Sequence, residues 1–374
     1  MDALYSLALE LAQNLKATPS NISRIATQTS AEAARWAFVQ WELREKGHNK
    51  FARAAEMIFV REALEQATNE RVAQYHASCF PGGQLVADLT AGIGGDLLAL
   101  AARGPAVAYE LDEERLECAR WNLQAYGLKA ELRLKDALEE KWDFEYAFAD
   151  PGRREGGARI AKPEDYAPNP LLLAERMKRI KKGGIKLSPM NDDAFLEALG
   201  PRIEFVSYEG ECKEALVWMG AETQPGRFAV LLDGKEPLWL QAGGSPPSVD
   251  EPGAYLYEAD PAAIRAHCVG SLCAQHDLAV LGTSHGYLVG DQALRDPWLT
   301  SYEIVAAAKD VGDLGKRFKT ESKAKAVVKS RVPGLDLAKV SRELKGFDPN
   351  LVAIAYPVGR SVRFLAARRM VTPG

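Results

Sequence analysis

The 374-residue chain lacks a long apolar run, a secretory leader and a metal-binding pattern of cysteines. No stretch reaches the length of about 18 apolar residues that a helix needs to cross a bilayer. The first twenty residues form an amphipathic helical pattern without a basic leader. Cysteines stand at positions 79, 118, 212, 268 and 273, without the spacing of zinc ligands. We therefore expect a cytoplasmic protein with no membrane segment, no metal and buried thiols.

Histidine is also scarce, and charge is unevenly distributed. The five histidines form no nucleophile or metal pattern, which leaves hydrolase and metalloenzyme functions without support. Residues 316–374 hold fourteen Lys/Arg against four Asp/Glu, a balance of +10. The preceding 315 residues therefore carry −14, because the whole chain carries −4. An acidic body with a basic end indicates a polyanionic partner.

The periodicity of apolar residues predicts an α/β protein in four parts. Residues 1–76 form a helical region, since apolar residues recur at spacings of three and four. Within residues 77–222, short apolar runs alternate with helical segments, which predicts a parallel, doubly wound sheet. The strand candidates are QLVADL, AVAYEL, AELRLKD, YAFADP, GGIKLSP, IEFVSYE and EALVWMG. The last two, joined by GEC, predict an antiparallel hairpin at the edge of the sheet.

The rest of the chain is predicted to form a hairpin, a linker and a separate, smaller domain. Residues 223–253 contain a β-hairpin and a linker rich in Gly, Pro and Ser, QAGGSPPSVDEPG. Residues 254–374 then form an α+β domain. Within it, DPAAIRAHCVGSLCAQH is expected to be one helical segment and VAIAYPVGRSVRFLAARR a closing hairpin.

The segment VADLTAGIGGD (86–96) runs from a strand through a glycine loop into a helix. A P-loop would need Gly-Lys-Ser/Thr, and a dinucleotide loop would need a third glycine where Leu97 stands. Acids flank the loop instead, at Asp88 and Asp96, which suits the ammonium and sulfonium of S-adenosylmethionine. Gly92 and Gly94 would let the backbone approach this cofactor closely. The alternative is an ordinary tight turn in which Asp96 caps the helix.

Two later strands also end in acids. Glu110 lies sixteen residues after Gly94 and could accept both ribose hydroxyls, with Leu111 packing against adenine. Asp136 ends the next strand and could accept the adenine amino group. Because ligands of such sheets bind beyond the carboxyl ends of the strands, this series predicts a nucleoside site. The predicted cofactor site is completed by Thr68, Thr90, Ala91 and Ala137.

These motifs resemble the class I S-adenosylmethionine-dependent methyltransferases. More narrowly, the chain resembles a bacterial family with a THUMP-like C-terminal domain and a core similar to trimethylguanosine synthase. The resemblance is carried by KFARAAEMIFVREALEQATNERVAQYHA, VADLTAGIGGD, ADPGRREGG, IKLSPM, ECKEALVWMG and YLYEADPAAIRAHCVGSL, and covers almost the whole chain. It implies a Rossmann-like sheet with an N-terminal helical region, a THUMP-like α+β domain and S-adenosylmethionine as cofactor. It also implies that Thr68 lies in a segment closing over the methionine end, although helix capping by Thr68 is equally compatible with the sequence.

The resemblance further implies that the strand ending at Asp150 is the fourth and faces the transferred methyl group. Amine methyltransferases carry Asn/Asp-Pro-Pro followed by an aromatic residue there, which positions the target nitrogen. This chain keeps Asp150 and Pro151 and continues with Gly152, Arg153 and Arg154. Arginine could replace the aromatic residue, because a guanidinium stacks on bases and binds phosphates. The alternative is a structural ion pair between one of these arginines and a nearby acid.

We accordingly predict that Asp150, Pro151 and Arg153 are catalytic. The predicted substrate-binding residues are Arg154, Lys186, Ser188, Lys316, Arg317 and Lys319. The last three begin a run of seven basic residues and one acid, GKRFKTESKAKAVVKSR, which could bind RNA phosphates or be only a solvated surface. The predicted function is methylation of a base nitrogen in RNA. A non-catalytic RNA-binding or assembly protein, and a methyltransferase for proteins or small molecules, remain alternatives, and the oligomeric state is open.

Overall fold

The computed structural model describes residues 3–152, 154–155, 158–159, 162–283 and 286–370. Of residues 154, 155, 158, 159 and 164 it describes the backbone alone. The chain divides into two compact units. The first contains Met1–Leu187, Asn191–Pro201 and Val217–Gln224; the second contains Ser188–Met190, Arg202–Leu216 and Pro225–Gly374. The four segments expected from the sequence stay a prediction.

The first unit begins with helices, as predicted. They are α1 (Ala3–Ala12), α2 (Pro19–Ala26), α3 (Ala31–Gly47), α4 (Arg61–Gln66) and α5 (Glu70–Ser78), with a short 3₁₀ turn at Ala54–Glu56. Local sequence sets where α2 and α3 start. Thr18 and Ser30 precede them, and their side chains accept hydrogen bonds from the first-turn amides of Asn21 and Ala33.

A parallel sheet follows, which confirms the predicted Rossmann-like α/β fold. Its strands are β1 (Val86–Asp88), β2 (Ala106–Glu110), β3 (Glu131–Leu134), β4 (Tyr146–Ala149) and, after a two-stranded ribbon of β5 (Arg154–Glu155) and β6 (Ala158–Arg159), β7 (Lys182–Leu187). The helices between and after them are α6 (Gly95–Ala101), α7 (Glu113–Ala125), α8 (Pro170–Met177) and α9 (Asp193–Leu199). The strand order is β7-β4-β1-β2-β3.

The centre of this sheet brings three acids to one edge. β1 pairs in parallel with β2 and β4, so Asp88 lies beside Ala108 on one side and Phe148 on the other. Glu110 and Asp150 stand within two residues of these partners, at the same carboxyl edge. Ala87, Ala108 and Phe148 are fully buried, as expected for strands covered on both faces. β3 ends at Leu134, so Asp136 lies two residues beyond the strand rather than at its end.

The predicted edge hairpin is not at the edge. The second unit contains β8 (Arg202–Tyr208) and most of β9 (Glu211–Met219), and β9 neighbours β8 as predicted. β8 is also paired in parallel with β10 (Gly226–Leu231), and β10 is antiparallel to β11 (Leu238–Gln241). The hairpin that the sequence predicted within residues 223–253 contains β10 and β11. Because β10 pairs with β8, this hairpin continues the sheet beyond β8.

The rest of the second unit is an α+β arrangement around an eight-stranded sheet. Its elements are β12 (Ser248–Val249), β13 (Tyr255–Ala259), α10 (Pro261–Arg265), α11 (Val269–His276), β14 (Ala279–Leu281), β15 (Tyr287–Gly290), β16 (Leu299–Ala308), α12 (Val311–Arg317), β17 (Val327–Ser330), α13 (Leu337–Glu343), β18 (Val352–Val358) and β19 (Ser361–Arg369). The strand order is β12-β14-β15-β13-β16-β19-β18-β17. β18 and β19 form the expected closing hairpin. The single helical segment expected at 260–276 is two helices, because His267 adopts a left-handed conformation between them. Within the described ranges, no helix has the length and apolarity to cross a membrane.

Candidate functional site

A cavity of about 390 Å³ lies in the first unit at the carboxyl edge of β1, β2 and β4. This volume is within the usual range for small-molecule sites. Most residues of the predicted cofactor site line it, together with the predicted catalytic acid: Thr68, Thr90, Ala91, Gly92, Asp96, Glu110, Leu111, Asp136, Ala137 and Asp150. Asp88, Gly94, Pro151 and Lys186 do not belong to the lining.

The two glycines of the loop serve different purposes. Gly94 precedes α6 in a left-handed conformation (φ 94°), and a Cβ there would lie 3.5 Å from the backbone of Ala119. Gly92 is also left-handed (φ 53°), but a Cβ there would meet no described atom within 4 Å. Gly94 thus lets the loop pack against α7, whereas Gly92 leaves open space along the cavity wall.

Glu110 fixes the loop through its carboxylate. Oε2 accepts a hydrogen bond from the amide of Gly92 at 2.7 Å, and Oε1 accepts from the amides of Leu111 and Asp112 at 2.9 and 3.0 Å. These bonds aim the carboxylate, and its oxygens keep lone pairs for further donors. Leu111 beside it is 67% exposed. An aimed acceptor next to an exposed apolar side chain fits a ribose and an adenine ring.

Asp88 is a buried acid with one unsatisfied oxygen. Its Oδ1 accepts a hydrogen bond from the amide of Thr90 at 3.1 Å, whereas Oδ2 has no partner among the described residues. Burial, followed by the charge of Asp96, raises the pKa of Asp88 well above its usual range. A cation bound nearby would stabilise the ionised carboxylate. The residues present therefore fit a positively charged cofactor.

A buried chain of polar side chains joins the cofactor loop to the end of β4. Nδ1 of His76 lies 2.7 Å from Oδ1 of Asp96, and Thr68 Oγ1 donates to Asp96 Oδ2 at 2.7 Å. Lys186 Nζ donates to Thr68 Oγ1 at 3.1 Å and to Asp150 Oδ2 at 2.5 Å. Burial alone would raise the pKa of Asp96, but the combined effect of His76, Lys186 and Thr68 is to lower it.

The helix caps and these side-chain hydrogen bonds rule out the capping roles considered for Thr68 and Asp96. The residue that caps α5 is Asn69, whose side chain accepts from the amide of Arg71. At the start of α6 the capping position is Gly94, while Asp96 lies inside the helix and binds His76 and Thr68. Both side chains instead contribute to the wall of the cavity.

The segment after β4 is described only in part. The amide of Asp150 donates to Thr90 Oγ1 at 2.6 Å, which ties the end of β4 to the glycine loop. Pro151 is buried, and Gly152 exchanges backbone hydrogen bonds with Ala167. The predicted catalytic Arg153 lies outside the described residues, as does the side chain of the predicted substrate ligand Arg154.

Of the other predicted substrate residues, Lys186 lies in the first unit, and the remaining four belong to the second unit. Ser188 is buried, and its hydroxyl accepts from the amide of Met190 at 3.3 Å. Lys316, Arg317 and Lys319 are exposed at and after the end of α12. Arg317 donates to the carbonyl of Ala307 at 2.9 Å, whereas the ammonium groups of Lys316 and Lys319 contact no carboxylate in the described part of the chain.

Sequence reasoning missed several lining residues. They are Ala63, Gln66, Ala67, Leu89, Ile93, Gly95, Tyr109, Asp112, Arg115, Lys135, Gly152, Ala167 and Pro168. Gln66 and Ala67 adjoin Thr68 in the EQATNE segment, so their position was available as a signal. Asp112 and Arg115 stand one to four residues beyond Leu111 but carry no distinguishing pattern. Elsewhere, the described residues hold no group of three or more His, Cys, Asp or Glu side chains arranged for a metal.

Comparison with known proteins shows which proteins the chain is similar to. Two relatives from strains of Mycobacterium tuberculosis, both named uncharacterized S-adenosylmethionine-dependent methyltransferases, are 34% identical over 263 residues. The match covers 67% of this chain and 70% of each relative. A crystal structure from Porphyromonas gingivalis, assigned to the methyltransferases, superposes with a TM-score of 0.80 at 20% identity, over 99% of this chain and 98% of that one. That likeness supports the fold. No protein-family model matches the chain.

Glu110→Ala should weaken binding of S-adenosylhomocysteine about 10- to 100-fold, because a charge-assisted hydrogen bond contributes about 1.5–3 kcal/mol. The substitution also removes the acceptor for three loop amides. Calorimetric titration measures the affinity. Glu113→Ala is the matched control, since Glu113 is exposed on α7 and does not line the cavity. Unchanged affinity in Glu110→Ala would show that Glu110 does not bind the ribose.

Affinity for S-adenosylmethionine should rise with pH through the raised pKa of Asp88. Below that pKa the carboxyl is neutral, and above it the carboxylate attracts the cationic cofactor. The affinity should therefore increase by up to about tenfold per pH unit below the pKa and level off above it. Titrations at several pH values measure the slope, and Asp88→Asn should flatten it. Asp136→Asn, which changes a different acid of the cavity lining, should keep the slope. A slope that survives in Asp88→Asn would assign the titration to another group.

Proposed function

This chain belongs to the S-adenosylmethionine-dependent methyltransferases, and on that premise we propose that it methylates a base nitrogen in RNA. The observation that carries the proposal is the position of Asp150. Its carboxylate lines the cavity at the end of β4, within the same wall as the glycine loop. A nitrogen donating an N–H to this carboxylate would be held next to the cofactor.

S-adenosylmethionine, when bound, would supply an electrophilic methyl group. The nitrogen lone pair would form the new bond as the carbon–sulfur bond breaks with its electron pair on sulfur, and the nitrogen would then lose its proton to Asp150 or water. Asp150 directs the nitrogen lone pair towards the methyl group by accepting the N–H hydrogen bond. Thr90 holds the backbone of Asp150, and Lys186 holds its side chain. Orientation of this kind is the main contribution a protein makes to methyl transfer.

The charge of residues 316–374 supports RNA as the acceptor. The excess of +10 over residues 316–374 would attract a polyanion that an acidic body carrying −14 repels. Lys316 and Lys319 expose ammonium groups without carboxylate partners among the described residues, which leaves them available for phosphates. We propose further that this α+β part is a THUMP-like RNA-binding module. An RNA substrate agrees with the cytoplasmic location expected from the sequence.

Asp150→Ala should lower methyl transfer about a hundredfold or more, because alignment of the nucleophile is lost while binding is kept. In three parallel reactions, the enzyme and radiolabelled cofactor are incubated with total RNA, with protein extract or with small metabolites. Labelled nucleosides are then identified by mass spectrometry. Glu113→Ala serves as the control, because Glu113 is exposed on α7 and does not line the cavity. Label in protein or metabolites alone would replace RNA as the substrate, and no label in any pool would favour a non-catalytic binding protein.

Lys316→Ala/Lys319→Ala should weaken RNA binding and reduce its salt dependence. Loss of two phosphate contacts lowers the slope of log affinity against log salt by about 1.4–1.8. Filter binding at several salt concentrations measures this slope. The control Lys46→Ala/Lys178→Ala removes two lysines that are paired with Glu42 and Glu175 in the first unit. Equal slopes of log affinity against log salt for the two double variants would show that Lys316 and Lys319 do not contact RNA and that the region around α12 is only a solvated surface.

A further inference from the structure

We propose that Lys186 is a positioning residue that keeps the carboxylate of Asp150 ionised and aimed at the point of methyl transfer. Lys186 precedes the last residue of β7, the strand next to β4, and its side chain is only 10% exposed. The proposal rests on the methyltransferase activity of the family and on Asp150 as its acceptor-positioning acid, and it is independent of whether the acceptor is RNA.

The geometry argues against Lys186 as a ligand for substrate phosphate. An ammonium group has three donors, and those of Lys186 include bonds to Asp150 Oδ2 and Thr68 Oγ1. A phosphate would have to displace these partners in a buried place, whereas Lys316 and Lys319 offer exposed ammonium groups. Charge-assisted hydrogen bonds to two fixed partners indicate that Lys186 orients side chains of the protein and does not bind a substrate phosphate.

The charge of Lys186 matters because acids crowd this edge of the sheet. Asp88 lies close enough to Asp96, Asp150 and Glu110 for each of their charges to raise its pKa. Removing the ammonium group would take a positive charge away from Asp150 while Asp88 stays within electrostatic reach of it, and nearby like charges favour uptake of a proton. A protonated carboxyl group is a weaker acceptor for the N–H of the target nitrogen. Lys186 thus keeps Asp150 in the form that aligns the acceptor.

Thr68 gives the contact a fixed direction. Its hydroxyl has a single proton, which goes to Asp96 Oδ2 at 2.7 Å, so its lone pair is the part that faces Lys186. Asp96 is held in turn by His76, whose ring stacks on Phe148 of β4 at 4.7 Å between centroids. Lys186 is therefore fixed by Thr68 on one side and by Asp150 on the other.

The test compares Lys186→Met, which removes the charge, with Lys186→Arg, which keeps it. Transfer is measured against pH with whichever pool takes label from the cofactor. Lys186→Met should lower kcat about tenfold or more at neutral pH and move the acid limb of the profile upwards by about 1–3 pH units. Its affinity for S-adenosylhomocysteine should stay within about threefold of the parent, since Lys186 does not line the cavity. Lys186→Arg should keep the parental midpoint.

A second measurement is independent of turnover. Carbon-13 NMR of labelled aspartates, with Asp150→Asn to identify the signal, follows the titration of Asp150 directly. Its midpoint should rise in Lys186→Met and stay near the parental value in Lys186→Arg. Should Lys186→Met not fold, the arginine variant decides: an upward midpoint there contradicts the proposal. A parental midpoint in Lys186→Met also overturns the proposal. A rise in KM alone, with kcat and the pH profile unchanged, overturns it as well and would make Lys186 a substrate ligand.

If no pool takes label, the proposed RNA activity fails while the NMR titration still decides the role of Lys186. If RNA takes label and the Asp150 midpoint does not respond to loss of Lys186, the RNA activity stands and the positioning role fails. The two failures are therefore distinguishable.

Discussion

Four carboxylates converge at one edge of a buried parallel sheet, and the rest of the site follows from the need to hold that negative charge. Burial, followed by the charges of Asp96, Asp150 and Glu110, raises the pKa of Asp88. Each of the other three has a compensating partner: backbone amides for Glu110, His76 and Thr68 for Asp96, and Lys186 for Asp150. Asp88 keeps one oxygen unsatisfied within the described residues, so the site is best balanced by a cationic ligand.

The acids could be predicted from the sequence because strand ends of a parallel sheet meet at one edge. Once VADL, AVAYEL and YAFAD were recognised as strands, their terminal acids had to lie near one another. The glycine loop was equally visible, since its flanking acids stand in one short segment. Family resemblance then supplied the cofactor, and the comparison with the mycobacterial relatives confirms it.

Other features depend on contacts between distant segments, which no local pattern records. His76 and Asp96 are 20 residues apart, and Lys186 is 118 residues from Thr68, so their chain of bonds appears only in the folded protein. The same limit explains the misplaced hairpin: the sequence shows that β8 and β9 are adjacent, but not that β10 returns to pair with β8. Burial of Lys186 was hidden for a different reason, since a lysine at a strand end is usually exposed.

The division of the chain into units has a consequence for how such a protein can be rearranged genetically. The second unit takes three separate stretches of sequence, and strand β9 begins in that unit and ends in the first. A gene fusion joined at one point could therefore exchange neither unit intact, because each junction would leave part of one unit attached to the other. Recombination that preserves both units needs five matched crossovers, one at each boundary between the units in the region from residue 187 to residue 225. Replacing residues 225–374 alone would remove β10 and β11 from β8 and leave a strand edge without its partner.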